Sequence, residues 1–306
     1  MANTQHTLVT ELAQGDRKAL ARAITVVENE ITGYEDVLLN LHYGNYVPII
    51  GITGPPGAGK STLVNSLIRV LLGKLKPDSK GIGVVSVDPS SPIHQGAILG
   101  DRLRMSEHFN DEKVFIRSLA TRGALGGLSA KTIEVTEVMR SFGFDYILVE
   151  TVGVGQSEVE IAGLADVTLL VLTPESGDDI QVMKSGVIEI ADVFVVNKAD
   201  RDGADEFAKN LNQTLPINHE KEHIKAGIVK TIATKNEGIV QLVNEIEKQL
   251  FSKAHNNRSV LWAEKAYQLI LKQKMKGIDK AKLTIEIEKE LKKDPHLNIY
   301  RFIKNY

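Results

Sequence analysis

The stretch Gly54-Pro55-Pro56-Gly57-Ala58-Gly59-Lys60-Ser61 constrains this chain more than any other. It fits the phosphate-loop pattern G-x-x-x-x-G-K-[ST], and the residues on either side fit as well. Ahead of it, Ile49-Ile50-Gly51-Ile52 reads as a short buried strand that starts just after Pro48. Behind it, Leu63, Val64, Leu67, Ile68, Val70 and Leu71 recur at helical spacing. In such a strand–loop–helix unit the glycines let successive backbone N–H groups turn toward phosphate oxygens, and the helix adds its positive dipole end. Lys60 then stands between the β and γ phosphates as a point charge. The Ser61 hydroxyl ligates Mg²⁺, and Thr62 completes the nucleotide-binding stretch. A turn that merely joins a strand to a helix would need none of the motif's fixed positions.

With 306 residues the chain can bury a full core, as one large domain or one domain with appendages. A net charge of −2 gives no global attraction to nucleic acid or to an anionic membrane. The absence of cysteine excludes a disulfide framework, a thiolate metal site and a thiol nucleophile. Met1-Ala2-Asn3-Thr4-Gln5-His6 lacks a basic segment leading into an apolar core, and no apolar run approaches bilayer-spanning length. The expectation is a cytoplasmic chain without a secretion signal.

Residues 7–43 read as two helices, with Leu8, Leu12, Leu20, Ala21, Ile24 and Val27 on one face, a break at Gly15-Asp16, and Tyr34 to Leu41 following. From 46 to about 238 strand and helix alternate. Apolar runs at 49–52, 82–87, 114–116, 146–149, 167–172, 193–196 and 228–232 are mostly continuous, as in strands covered on both faces. This predicts an α/β fold, a doubly wound, mainly parallel sheet with right-handed crossovers. Ile239, Leu242, Val243, Ile246 and Leu250 form one stripe of a helix from Glu237 to Phe251, and the polar linker Ser252 to Asn257 follows. Two more helices are expected in the tail, around Trp262 to Ile270 and around Leu283 to Leu291, with a lysine-rich solvated face. The expected organisation is a helical extension over 1–45, a nucleotide-binding domain over 46–252 and a helical extension over 253–306. A tail this small must dock on the main domain or on a second copy.

Further stretches fall at the ends of predicted strands, where a doubly wound sheet places its ligand. Asn197-Lys198-Ala199-Asp200 follows Val193–Val196 and fits N-K-x-D, the pattern that selects guanine. The Asp200 carboxylate accepts both the N1–H and the exocyclic amine of guanine, whereas adenine leaves it unpaired. Glu150-Thr151-Val152-Gly153 follows Tyr146–Val149 and takes the place of a D-x-x-G switch. Its glutamate, longer than the usual aspartate, has the length to reach a metal directly or through water, and the Gly153 N–H is the natural donor to the γ-phosphate. Asp88, in Val87-Asp88-Pro89-Ser90-Ser91, is a candidate Mg²⁺ ligand, either directly or through an intervening group. Asp101, in Gly100-Asp101-Arg102, carries a weaker signal on chemistry alone, since Asp-Arg equally fits a surface ion pair. Ala233, in Ile232-Ala233-Thr234, offers its backbone N–H to guanine O6.

Asp88-Pro89-Ser90-Ser91, Gly100-Asp101-Arg102-Leu103-Arg104-Met105, the string from Glu150 to Glu158 and Asn197–Asp200 together resemble the methylmalonyl-CoA mutase-associated GTPases (MeaB, also ArgK). These belong to the metallochaperone branch of the SIMIBI-class P-loop GTPases. The similarity is densest from 46 to 238 and extends over both helical ends. The resemblance implies GTP hydrolysis with Mg²⁺, a homodimer supported by the helical extensions, and an adenosylcobalamin-dependent acyl-CoA mutase as partner. GTP hydrolysis would then gate cofactor loading and protect the mutase. It also implies that Asp88, Asp101 and Glu150 are the Mg²⁺ and switch carboxylates. Glu175 to Lys184, with Asp178 and Lys184, would be an additional switch that reports to the partner. No glutamine directly follows Gly153, and Gln156 is offset, so intrinsic turnover is expected to be slow. Rival readings are weaker. A nickel-inserting GTPase needs clustered Cys or His, and this chain has no Cys and eight scattered His. An ATPase or kinase of basic amino-acid transport conflicts with N-K-x-D. A non-catalytic scaffold would not need the lysine, serine and acidic residues.

Overall fold

The computed structural model describes residues 2–88, 105–120, 131–153, 158–175, 188, 191–218, 227–252, 258–275, 277–294 and 296–303. Seven strands form one sheet: β1 (Ile49–Thr53), β2 (Ile82–Asp88), β3 (Val114–Ala120), β4 (Tyr146–Glu150), β5 (Val167–Leu172), β6 (Val193–Asn197) and β7 (Gly227–Thr231). Their spatial order is β3-β2-β4-β1-β5-β6-β7, and every adjacent pair is parallel. The chain moves outward from β1 to β2 and β3, returns to insert β4 beside β1, and then builds the other half through β5, β6 and β7. This is the doubly wound sheet expected from the apolar runs. β1, β2, β5 and β6 are buried along their whole length, which explains why those runs do not alternate.

Both faces are covered. Ile50 and Ile52 join Leu63, Val64, Leu67 and Ile68 of helix α4 (Lys60–Leu72) and Leu242, Val243 and Ile246 of α8 (Ile239–Ser252) in one core. On the opposite face Leu170, Leu172, Phe194 and Val196 pack with Leu211 of α7 (Ala204–Asn218). Helix α6 (Glu158–Leu164) comes so near β1 that a β-carbon on Gly51 would lie 2.6 Å from Ile161 Cγ1. Glycine at that position permits the approach.

Residues 7–43 contain three helices rather than two: α1 (Ala2–Ala13), α2 (Arg17–Glu28) and α3 (Tyr34–Leu39). Asp16 caps α2 by accepting the Ala19 N–H at 2.8 Å, and Gly33, at φ 90°, starts α3. These helices pack on one another and on α5 (Thr132–Phe142). Polar ties reinforce the packing. Lys80 Nζ donates to Phe142 O at 2.8 Å and Ala13 O at 3.2 Å, placing one cation at the C-terminal ends of α5 and α1. Arg17 Nη1 donates to Val114 O at 2.9 Å, and Arg117 of β3 pairs with Glu28 of α2. Burial lowers the Arg17 pKa from its ordinary value, an effect opposed by the nearby Asp111 and Glu112 carboxylates. By packing, the chain divides into two compact units, Met1–Arg258 and Ser259–Tyr306. The second consists of most of α9 (Arg258–Lys274) together with α10 (Lys280–Lys293) and α11 (Ile299–Phe302). Its Trp262, Tyr267, Ile270, Ile285 and Tyr300 are exposed. Among the described residues no helix is long and apolar enough to cross a membrane.

The trailing edge of the sheet, where the strands begin, is fastened by a device found at three positions among the described residues. Asp145, Asp166 and Asp192 each stand just before a strand. Each donates its backbone N–H to the adjoining strand (Gly81 O 2.8 Å, Ile49 O 2.8 Å, Thr168 O 2.9 Å). Each also accepts an N–H on its carboxylate (Gly81 N 2.8 Å, Ile49 N 2.7 Å, Thr168 N 2.8 Å). The staples join β4 to β2, β5 to β1 and β6 to β5, and leave the opposite edge free for chemistry. Asp166→Ala strands the N–H of fully buried Ile49. It should lower the unfolding free energy by roughly 1–3 kcal/mol in denaturant titration. Asp166→Asn, which keeps an acceptor, should lose clearly less.

Candidate functional site

β1 delivers the chain into the phosphate loop, and α4 takes it up. Gly59 caps α4 in the left-handed region at φ 89° with no side-chain hydrogen bond, so the helix's first N–H groups have no capping side chain. A β-carbon on Gly59 would lie 2.5 Å from Asn197 Nδ2, so only glycine fits there. Lys60 and Ser61 are buried, and the Lys60 ammonium donates to Gly54 O at 2.9 Å and Pro55 O at 3.2 Å. The ammonium is thereby folded back over the loop. Ser61 Oγ donates to Glu150 Oε1 at 2.6 Å, a short charge-assisted bond from α4 to the end of β4.

Two acids meet this loop at the leading edge of the sheet. Glu150 is 5% exposed and Asp88 1%. Glu150 sits opposite Ser86 in the β2–β4 register, and Asp88 lies two residues beyond Ser86 on the same face. Ser86 Oγ lies 3.4 Å from Asp88 Oδ1. Ser61, Glu150 and Asp88 therefore converge on the α4 side of the sheet. Gly153 has φ 84°, and a β-carbon there would lie 2.5 Å from both Gly54 O and Lys60 Nζ, so the turn after β4 rests directly on the phosphate loop. Asp101, Asp178 and Lys184 lie outside the described residues.

The N-K-x-D stretch borders the phosphate loop. Asn197 is buried; its Nδ2 donates to Ala58 O at 2.8 Å, and its Oδ1 accepts from Thr231 Oγ1 at 3.1 Å and Ala233 N at 3.2 Å. Lys198, at φ 56°, donates from Nζ to Gly57 O at 2.8 Å. Both side chains brace the phosphate loop. Asp200 is exposed, with Lys235 Nζ at 3.8 Å. The Ala233 N–H, the expected donor to guanine O6, lies at this same corner. Helix α4 is tied to the same corner by Ser66 Oγ donating to Ala233 O at 2.8 Å. The bracing roles of Asn197 and Lys198 were missed in the sequence, because a motif names residues without saying which way they face.

A profile of the methylmalonyl-CoA mutase-associated GTPases (MeaB) matches residues 20–280. The chain belongs to the MeaB family. A Pyrococcus abyssi protein bearing a GTPase name is 46% identical over 246 residues, spanning 79% of this chain and 74% of its own. A fused isobutyryl-CoA mutase of Cupriavidus metallidurans is 38% identical over 223 residues, 72% of this chain and 20% of that longer protein. The crystal structure of an LAO/AO transport system kinase matches with a TM-score of 0.69 at 25% identity, covering 99% of this chain and 96% of its own. The resemblance carried by the strand-end motifs is thus borne out, and this MeaB-family protein is a P-loop GTPase. Gly153→Ala tests how tightly its site is built. The substitution places a methyl against Lys60 and Gly54 at a φ that side chains rarely adopt, and turnover of GTP should fall by at least about tenfold. Stopped-flow phosphate release would measure it.

Proposed function

We propose that the protein is a G-protein chaperone for an adenosylcobalamin-dependent acyl-CoA mutase, hydrolysing GTP at the site formed by the phosphate loop, Asp88 and Glu150. The observation that carries the partner is the fused relative, in which the stretch matching this chain occupies a fifth of a protein named as an isobutyryl-CoA mutase. The family's description as mutase-associated agrees with it. In this reading hydrolysis gates cofactor loading and protects the mutase. The exposed Trp262, Tyr267 and Ile270 of the tail are available to a second copy, in keeping with a homodimer.

For the chemistry, Gly54 to Thr62 hold the phosphates through backbone N–H groups and the start of α4, with Lys60 as the fixed charge. Asp200 accepts the two donors of guanine. A hydroxyl and two buried carboxylates form an all-oxygen donor set, which suits Mg²⁺. Among the described residues no group of three or more His, Cys, Asp or Glu could hold a metal. The ion would therefore be held by Ser61, Asp88 and Glu150 jointly with nucleotide oxygens, Asp101 contributing from its own segment. When bound it would neutralise charge on the β and γ phosphates. By accepting the Ser61 hydroxyl's hydrogen bond at Oε1, Glu150 leaves the serine lone pairs available to a cation. The Gly153 N–H serves the γ-phosphate.

The test is calorimetry and GTP turnover with and without the mutase of the same cell, in GDP and in a non-hydrolysable GTP analogue. The two nucleotide states should differ in mutase affinity by about 1–3 kcal/mol, and the mutase should stimulate turnover. Lys60→Ala should lower turnover by about two to three orders of magnitude. Asp178→Ala or Lys184→Ala should keep intrinsic turnover and abolish the stimulation. No complex in either state, with no stimulation, would refute the partner.

A further inference from the structure

β1 and β4 are adjacent parallel strands with Ile52 opposite Glu150. One residue further, where both strands stop, Thr53 and Thr151 stand opposite each other, and Thr151 Oγ1 donates to Thr53 Oγ1 at 3.0 Å. The Thr151 N–H also donates to Ile52 O at 3.0 Å. Thr53 is 0% and Thr151 1% exposed. Strand alternation puts this pair on the face opposite Ser61 and Glu150, so β4 is gripped from both sides at its end. A valine at position 53 would satisfy burial and strand preference equally well. A hydroxyl there is unfavourable unless it is bonded.

Beyond the pair the two segments diverge, one into the phosphate loop at Gly54 and one through Val152 to Gly153. They meet again where Gly153 closes on Gly54 O and Lys60 Nζ, both within 2.5 Å of where its β-carbon would stand. The two segments are thus joined by a side-chain bond at Thr53 and Thr151 and again, by close packing, at Gly153. We propose that Thr53 and Thr151 are positioning residues for GTP hydrolysis. Their hydrogen bond keeps the Gly153 turn in register with the phosphate loop, so that gain or loss of the γ-phosphate is felt by both turns as one unit. Neither hydroxyl touches the reacting atoms; each acts through the backbone it fixes. The inference rests on the phosphate loop being the site of turnover.

Thr53→Val and Thr151→Val keep the shape and remove one hydroxyl each, in the full-length protein. Each should lower kcat about tenfold, the rate equivalent of one buried hydrogen bond, while KM for GTP and affinity for GDP change less than about twofold. The double variant should fall no further than either single one, since both remove the same bond. Thr53→Ser should recover most of the turnover lost in Thr53→Val. Turnover within about twofold of the parent in both valine variants would overturn the proposal. So would an additive double variant, failure of serine to rescue, or loss of the fold in both valine variants, which would make the pair structural. Lys60→Ala assayed alongside separates the two levels. If it turns over normally, the site reading fails; if it is inactive while the threonine variants are normal, only the threonine assignment fails.

Discussion

Ser61 Oγ to Glu150 Oε1, at 2.6 Å, is the contact on which the arrangement of this molecule turns. Lys60, Ser61, Asp88 and Glu150 are all withdrawn from water, each less than a tenth exposed. Charged groups are held in such a place only if they are paired and hydrogen-bonded. The Ser61 hydroxyl meets the glutamate, and the Lys60 ammonium meets two loop carbonyls. These pairings fix the start of α4 against the end of β4. Everything that follows, from the resting position of Gly153 to the brace of Asn197 and Lys198, is built around that junction.

The sheet separates its duties by edge. Where strands begin, three aspartates staple neighbours together through paired N–H contacts. Where strands end, side chains with functional groups face one another across β2, β4 and β1. A parallel sheet favours this division because all strand ends that point at the ligand lie on one side. A rigid trailing edge lets the leading edge carry glycine-rich turns without loss of register.

Much of this was legible in the sequence because burial on both faces leaves continuous apolar runs, as in β1, β2, β5 and β6. β3 was read only as 114–116 yet runs to Ala120, because Arg117 interrupts its apolar run. That arginine is tolerated since it pairs with Glu28 of α2, a contact no local pattern reveals. For the same reason the N-terminal helices read as a separate extension, although they pack on α5 within one compact unit. Phosphate-loop and acidic residues were found by spacing, whereas the Thr53–Thr151 bond and the inward-facing Asn197 depend on register between strands distant in sequence. The aspartate staples carry no signal in a single strand, because each works only through the neighbouring one.

The central claim is that phosphate loop, Ser61, Asp88 and Glu150 form one nucleotide and cation site. A crystal structure with Mg²⁺ and a non-hydrolysable GTP analogue tests it most directly. Phosphates should lie against the backbone N–H groups of Gly57 to Thr62, with Lys60 Nζ within hydrogen-bond reach of β and γ oxygens. The cation should sit on Ser61 Oγ, with Asp88 and Glu150 bound to it directly or through a single layer of water. Phosphates seated elsewhere, or a cation touching neither Ser61 nor the two carboxylates, would contradict it.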